Sequence, residues 1–123
     1  MKSSIKEVVE DLKNFRIETL NFGALREKYS ARKANFLIKE VVDFILANQL
    51  EEVILTKEGL NSYSDRQVLI LLRTEDSYQV SNIERGQRHL VEDFGVLEEA
   101  MFEYLDRFFN EIGLDVTDSK INA

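Results

Sequence analysis

The sequence predicts an α+β domain. Helices come first, then a three- to four-stranded antiparallel sheet with a meander over about residues 67–94, then an amphipathic helix packed on that sheet. Three observations carry this. Val96, Leu97, Ala100, Met101, Tyr104, Leu105, Phe108, Phe109 and Ile112 recur at steps of three and four, which places them on one broad helical stripe. Val68 to Leu72, VLILL, is too short for a typical helix and too continuously apolar for a half-exposed strand, so it reads as a central strand covered on both faces. Tyr78–Glu84 and Gln87–Phe94 then flank a tight turn at Arg85-Gly86, as a hairpin requires.

From the N-terminus, Ser4-Ile5-Lys6-Glu7 fits a capping box, and Ile5, Val8, Val9 and Leu12 mark the buried side of a helix ending near Phe15. Arg16 to Phe22 extends that helix or forms a short extended piece, and Gly23 punctuates it. Ala24 to Ser30 reads as a short helical turn. Ser30 then caps a helix over Ala31–Gln49, with a single longer helix from Ala24 as the alternative. Leu37, Ile38, Val41, Val42, Phe44, Ile45 and Leu46 cover more than half of that helix and predict a central position.

Glu51 and Glu52 precede Val53-Ile54-Leu55, an apolar run of strand type, and Lys57–Asp65 has the Gly, Asn, Ser and Asp of a loop. Thr74–Ser77 supplies a turn. The alternation of the next strand slips near Asn82-Ile83, where a bulge is expected. Gly113 stands where a left-handed residue ends the last helix, and residues 115–123 read as a polar, frayed tail. The expected core includes Leu37, Val41, Phe44, Ile45, Leu69, Leu71, Met101, Leu105 and Phe108.

A chain of 123 residues is most simply one domain over 1–123. Its net charge of -7 is unevenly placed: residues 1–50 hold nine Lys and Arg against seven acids, and residues 51–123 hold seven against sixteen. That balance argues against nucleic-acid binding, which needs clustered bases, and suits a basic partner. There is no Cys, hence no thiolate nucleophile, disulfide or Cys-based zinc site. The N-terminus lacks an apolar signal-peptide core, and no run approaches the roughly 20 residues of a membrane span. The expectation is a cytoplasmic protein with no membrane partner.

No catalytic, cofactor or metal motif occurs. His89 is the sole histidine and has no nucleophile or carboxylate at a recognisable spacing. The paired acids Glu51-Glu52, Glu75-Asp76, Glu92-Asp93 and Glu98-Glu99 fall beside turns or helix starts, in reach of solvent, whereas acid/base work needs one partner desolvated. Arg26, Lys28, Arg32 and Lys33 form one basic cluster, read as a solvated helix start. From Leu90 to Asp106 there is no Lys or Arg but six acids: Glu92, Asp93, Glu98, Glu99, Glu103 and Asp106. These six are the candidate partner-binding residues, on the side of the last helix and its approach that faces away from the core.

Ile83-Glu84-Arg85-Gly86, the strand to Phe94, Glu98-Glu99-Ala100 and Tyr104-Leu105 together resemble the closing half of small immunity proteins. Those proteins belong to bacterial polymorphic-toxin and contact-dependent growth-inhibition systems. The resemblance spans residues 78–109, about a quarter of the chain. It implies a non-enzymatic protein that binds a cognate toxin domain, often a basic nuclease, and occludes its site. It carries no contact residues over. The alternative is an acidic cytoplasmic secretion chaperone, a homodimer whose apolar face the helix over 31–49 would supply.

Overall fold

The computed structural model describes residues 2–16, 21–57, 69–84 and 87–121. A short strand, Lys2–Ser3 (β1), leads into helix Ile5–Arg16 (α1). Ser4 Oγ accepts from the Glu7 amide at 3.3 Å, as a helix cap should. The Glu7 carboxylate lies 3.3 Å from Lys28 Nζ on the next helix. Val8, Val9, Leu12 and Phe15 enter the core at helical spacing.

Helix Phe22–Tyr29 (α2) begins at Asn21, whose Oδ1 accepts from the Ala24 amide at 2.9 Å. Gly23 therefore lies within the first turn of a helix and does not punctuate the chain. Residues 17–20, left open between helix and extended piece, lie outside the described residues.

The expected helix over Ala31–Gln49 begins seven residues later, at Ile38, and ends two residues earlier, at Ala47. Ser30 closes α2, Ala31 takes a left-handed φ of 65°, and Lys33–Ala34 (β2) pairs in parallel with β1. The amide of Ala34 also donates to the carbonyl of Asp115 at 2.8 Å, and the amide of Asp115 to Arg32 at 3.0 Å. Partners from both ends of the chain thus take up backbone groups that a helix would have used internally.

Helix Ile38–Ala47 (α3) then starts on an imported cap: Asp118 accepts from the amides of Ile38 at 2.8 Å and Lys39 at 3.1 Å. Ile38, Val41, Val42 and Ile45 are buried, Phe44 and Leu46 are partly buried, and Leu37 is 39% exposed just outside the helix. Leu37 is thus not a core residue.

After a 3-10 turn at Glu51–Val53 comes Leu55–Lys57 (β3), followed by Leu69–Arg73 (β4), Tyr78–Glu84 (β5) and Gln87–Phe94 (β6). The sheet order is β3-β4-β5-β6. In the antiparallel meander β4–β6, β5 and β6 have the expected boundaries, and β4 runs one residue further than expected, to Arg73. The fourth strand differs: β3 runs parallel to β4, with Leu55 opposite Leu71. The expected Lys57–Asp65 loop, from residue 58 on, lies outside the described residues, as do Val68 and the Arg85-Gly86 turn.

All four apolar residues of β4 are buried, which accounts for the unbroken run. Leu69 and Leu71 join the main core, while Ile70 and Leu72 form a second cluster with Ile83.

Register shifts between Val80 and Asn82. Val80 faces Glu92 and Asn82 faces His89, so one β5 residue opposes two on β6, Leu90 and Val91. The extra residue is on β6, with Leu90 at φ 52°, and not at Asn82-Ile83. The apparent slip in β5 has another origin: Asn82 points inward because its Oδ1 accepts from Arg107 at 3.0 Å.

Helix Leu97–Ile112 (α4) lies between the sheet strands β4, β5 and β6 and helices α2 and α3, with Ala100, Met101, Tyr104, Leu105, Phe108, Phe109 and Ile112 buried; Phe108 meets the rings of Phe15 and Phe22, and Phe109 that of Phe36. Val96 precedes the helix and is exposed. Gly113 closes α4 at φ 75°. The tail is not frayed through residue 121: Leu114 and Val116 are buried, and Asp118 caps α3. Among the described residues no helix is long and apolar enough to cross a membrane.

Candidate protein-binding face

The six candidate acids do not form one face. Asp106 is buried on the flank of α4, where its Oδ1 accepts from Ser119 Oγ at 2.6 Å. The ordered tail is what covers it, so Asp106 cannot meet a partner on this surface. Glu103 is mostly buried and tied to Arg107 Nε at 2.7 Å. Glu92 points to the helix side of the sheet, 3.4 Å from Arg107 Nη2, and half of its side chain is open to solvent. Asp93 points to the opposite side and accepts from Gln79 Nε2 at 2.8 Å. Only Glu98 and Glu99, in the first turn of α4, are exposed without a partner among the described residues.

Those two carboxylates rim an open cleft of about 460 Å³ between α3 and α4. Val42, Phe94 and Phe102 supply apolar surface, and Lys120 Nζ lies 5.0 Å from the centre of the Phe102 ring. Lys39 is answered by Asp43 at 3.8 Å. The cleft therefore pairs an apolar floor with a rim of three acids and two lysines, where Glu98 and Glu99 suit a basic side chain with a long aliphatic stem or planar head.

A second opening, of about 470 Å³, lies between β6 and α4. Arg107 fills its floor, donating to Glu103, Asn82 and, at 2.8 Å, the carbonyl of Leu90. With its acceptors supplied by the fold, this guanidinium is structural. It pins the bulge, and the bulge displays Leu90 at 74% and Val91 at 44% exposure.

His89 faces Asn82 on the exposed strand, beside a hollow with Arg26 and Glu111. Among the described residues no group of three or more His, Asp or Glu is placed to hold a metal ion.

The basic cluster lies at the end of α2 and just beyond it, not at a helix start, and three of its four bases are paired while Lys33 is exposed. Arg26 bonds Glu111 at 2.6 Å, Lys28 bonds Asp11 at 2.7 Å, and Arg32 Nη1 lies 3.8 Å from Glu7. The hydroxyl of buried Tyr29 donates to the same Asp11 oxygen as Lys28. Burial, then the hydrogen bond to Asp11, pushes the Tyr29 phenol far above its ordinary value. Burial alone would lower Lys28, but the carboxylates of Asp11 and Glu7 together outweigh it, and the net shift is upward.

Sequence reasoning missed Leu90, Val91, Phe102 and Lys120. Lys120 was hidden by the reading of a frayed tail, and Leu90 by the bulge. Arg107, the lone base on the acidic helix, was the one visible signal of an internal ion pair. No protein-family model, curated protein or solved structure matches this chain.

Proposed function

We propose that this protein is an immunity protein: it acts by binding, without catalysis of its own, and neutralises a cognate toxin domain by stoichiometric occlusion in the cytoplasm. The observation that carries the reading is the pair Glu98 and Glu99, exposed and unpartnered beside an apolar cleft while the neighbouring acids are taken up by the fold. Free carboxylates at a hydrophobic cleft suit the Arg- and Lys-rich active-site surroundings of a nuclease. The resemblance over residues 78–109 points the same way. A secretion chaperone would need the apolar face of α3 for its dimer, and Ile38, Val41, Val42 and Ile45 are instead inside the core.

The test begins with capture of the partner from the native host by the tagged protein. The captured protein's toxic domain is then expressed alone and with this chain. The expected result is growth arrest relieved by co-expression, and purified toxin activity titrated to zero at one equivalent. Toxicity unrelieved at equal expression, or inhibition only in large excess, would contradict the proposal.

A further inference from the structure

Strand β6 has β5 on one side and, among the described residues, no strand on the other. An open edge is a template for another strand, and Gln87–Phe94 is exposed along most of its length. Its sequence is complementary to itself about its midpoint. Taken inward from both ends, Arg88 meets Asp93, His89 meets Glu92, and Leu90 meets Val91. Two copies running antiparallel about an axis between Leu90 and Val91 would set each base opposite an acid, twice, with apolar residues at the centre.

Such symmetry is useful only if opposed residues point to the same face. In a regular strand Arg88 and Asp93 would point to opposite faces, as would His89 and Glu92. The bulge reverses this. Arg88 and Asp93 lie on one face, where a single Gln79 side chain touches both, each at 2.8 Å. His89 and Glu92 lie on the other, opposite Asn82 and Val80. The extra residue that breaks register with β5 is therefore what makes the outer edge match a copy of itself.

We propose that β6 is the seam of a symmetric homodimer, the occupant of its open edge being the β6 of a second copy of this chain. Pairing covers Leu90 and Val91, the exposed apolar centre of the strand, and flanks them with Arg88–Asp93 and His89–Glu92 pairs. Arg107 holds the required shape through the Leu90 carbonyl. The seam takes up Glu92 and Asp93 and leaves Glu98 and Glu99 free. It goes beyond the binding reading and does not depend on it.

The test is sedimentation of the full chain over a broad micromolar range, which needs no toxin. The wild type is expected at about twice its 14.3 kDa chain mass. Arg88→Asp sets Asp against Asp93 at both ends, and Asp93→Arg sets Arg against Arg88. Each is expected to weaken the dimer by roughly tenfold or more. Arg88→Asp combined with Asp93→Arg swaps both Arg88–Asp93 pairs and is expected to restore it. Thermal unfolding of each variant monitors the fold. A monomeric wild type, a dimer indifferent to the single changes, or loss without rescue by the double change in folded protein would overturn the proposal.

Discussion

Two charged regions of this protein meet opposite fates. Around Tyr29, two bases, two acids and a phenol from α1, α2 and the segment after it answer one another: Lys28 with Asp11 and Glu7, Arg32 with Glu7, and Tyr29 with Asp11. At the start of α4, Glu98 and Glu99 answer nothing within the described residues. Both regions look alike in the sequence, as short runs of charge at helix starts. The difference is whether distant segments arrive with the complementary group. Charge absorbed by the fold contributes to stability. Charge left over is available to a partner, and Glu98 and Glu99 are two such charges, set beside an apolar cleft.

The comparison breaks most readily at Asp11. Asp11→Ala removes the acceptor shared by Lys28 and Tyr29 and leaves the phenol buried, so denaturant unfolding is expected to show a loss of about 1.5–3 kcal/mol. A loss near zero would mean that the Tyr29 region is no more committed than the α4 start. Glu103→Lys comes next. Glu103 and Arg107 are both mostly buried, so reversal sets two cations together, and a loss of about 1–3 kcal/mol is expected, between the exposed and buried limits. On the helical pattern alone Glu103 belongs with the free acids. Its behaviour in unfolding separates the two groups.

What was legible in the sequence was local. The α4 stripe, the apolar run of β4 and the hairpin boundaries follow from spacing within single stretches of at most seventeen residues, and Gly113 marks its helix end by its own conformational freedom. What was not legible depends on residues far apart in the chain. Lys33–Ala34 is extended because β1 and Asp115 pair with it, and α3 begins where Asp118, from the tail, supplies a cap. The same tail buries Asp106 beneath Ser119 and removes it from the acidic surface. A polar ending looked dispensable because its Asp and Ser resemble loop residues, whereas here they answer backbone and carboxylate groups of other elements. For the candidate site, the Glu98-Glu99 pair was legible and its apolar cleft was not.

Asp118→Ala tests this reading of the tail. Loss of the imported cap of α3 is expected to cost about 0.5–2 kcal/mol, and hydrogen exchange should quicken at the Ile38 and Lys39 amides. Protection unchanged at those amides would return the tail to the status of a fringe.

The paired region should also register in the pH dependence. Folded Tyr29 holds its proton to higher pH than the unfolded chain, whose phenol titrates near pH 10. The Tyr29 contribution is thus fully present below about pH 10 and is lost as pH rises beyond it, and raised Lys28 acts in the same direction. Unfolding free energy should fall above about pH 10, with a shallower fall in Tyr29→Phe. An identical slope in that variant would remove the phenol from the account.

The smallest change in stability is expected where binding should change most. Glu98→Lys combined with Glu99→Lys alters two exposed, unpartnered side chains, so unfolding should stay within about 0.5 kcal/mol for each position. The decisive measurement is the affinity of this double variant for the captured toxin domain, by calorimetry at low and physiological salt. The account predicts a loss of roughly tenfold or more, weaker wild-type binding as salt rises, and an unaltered fold. Wild-type affinity in the folded double variant would contradict the assignment of this face to the partner.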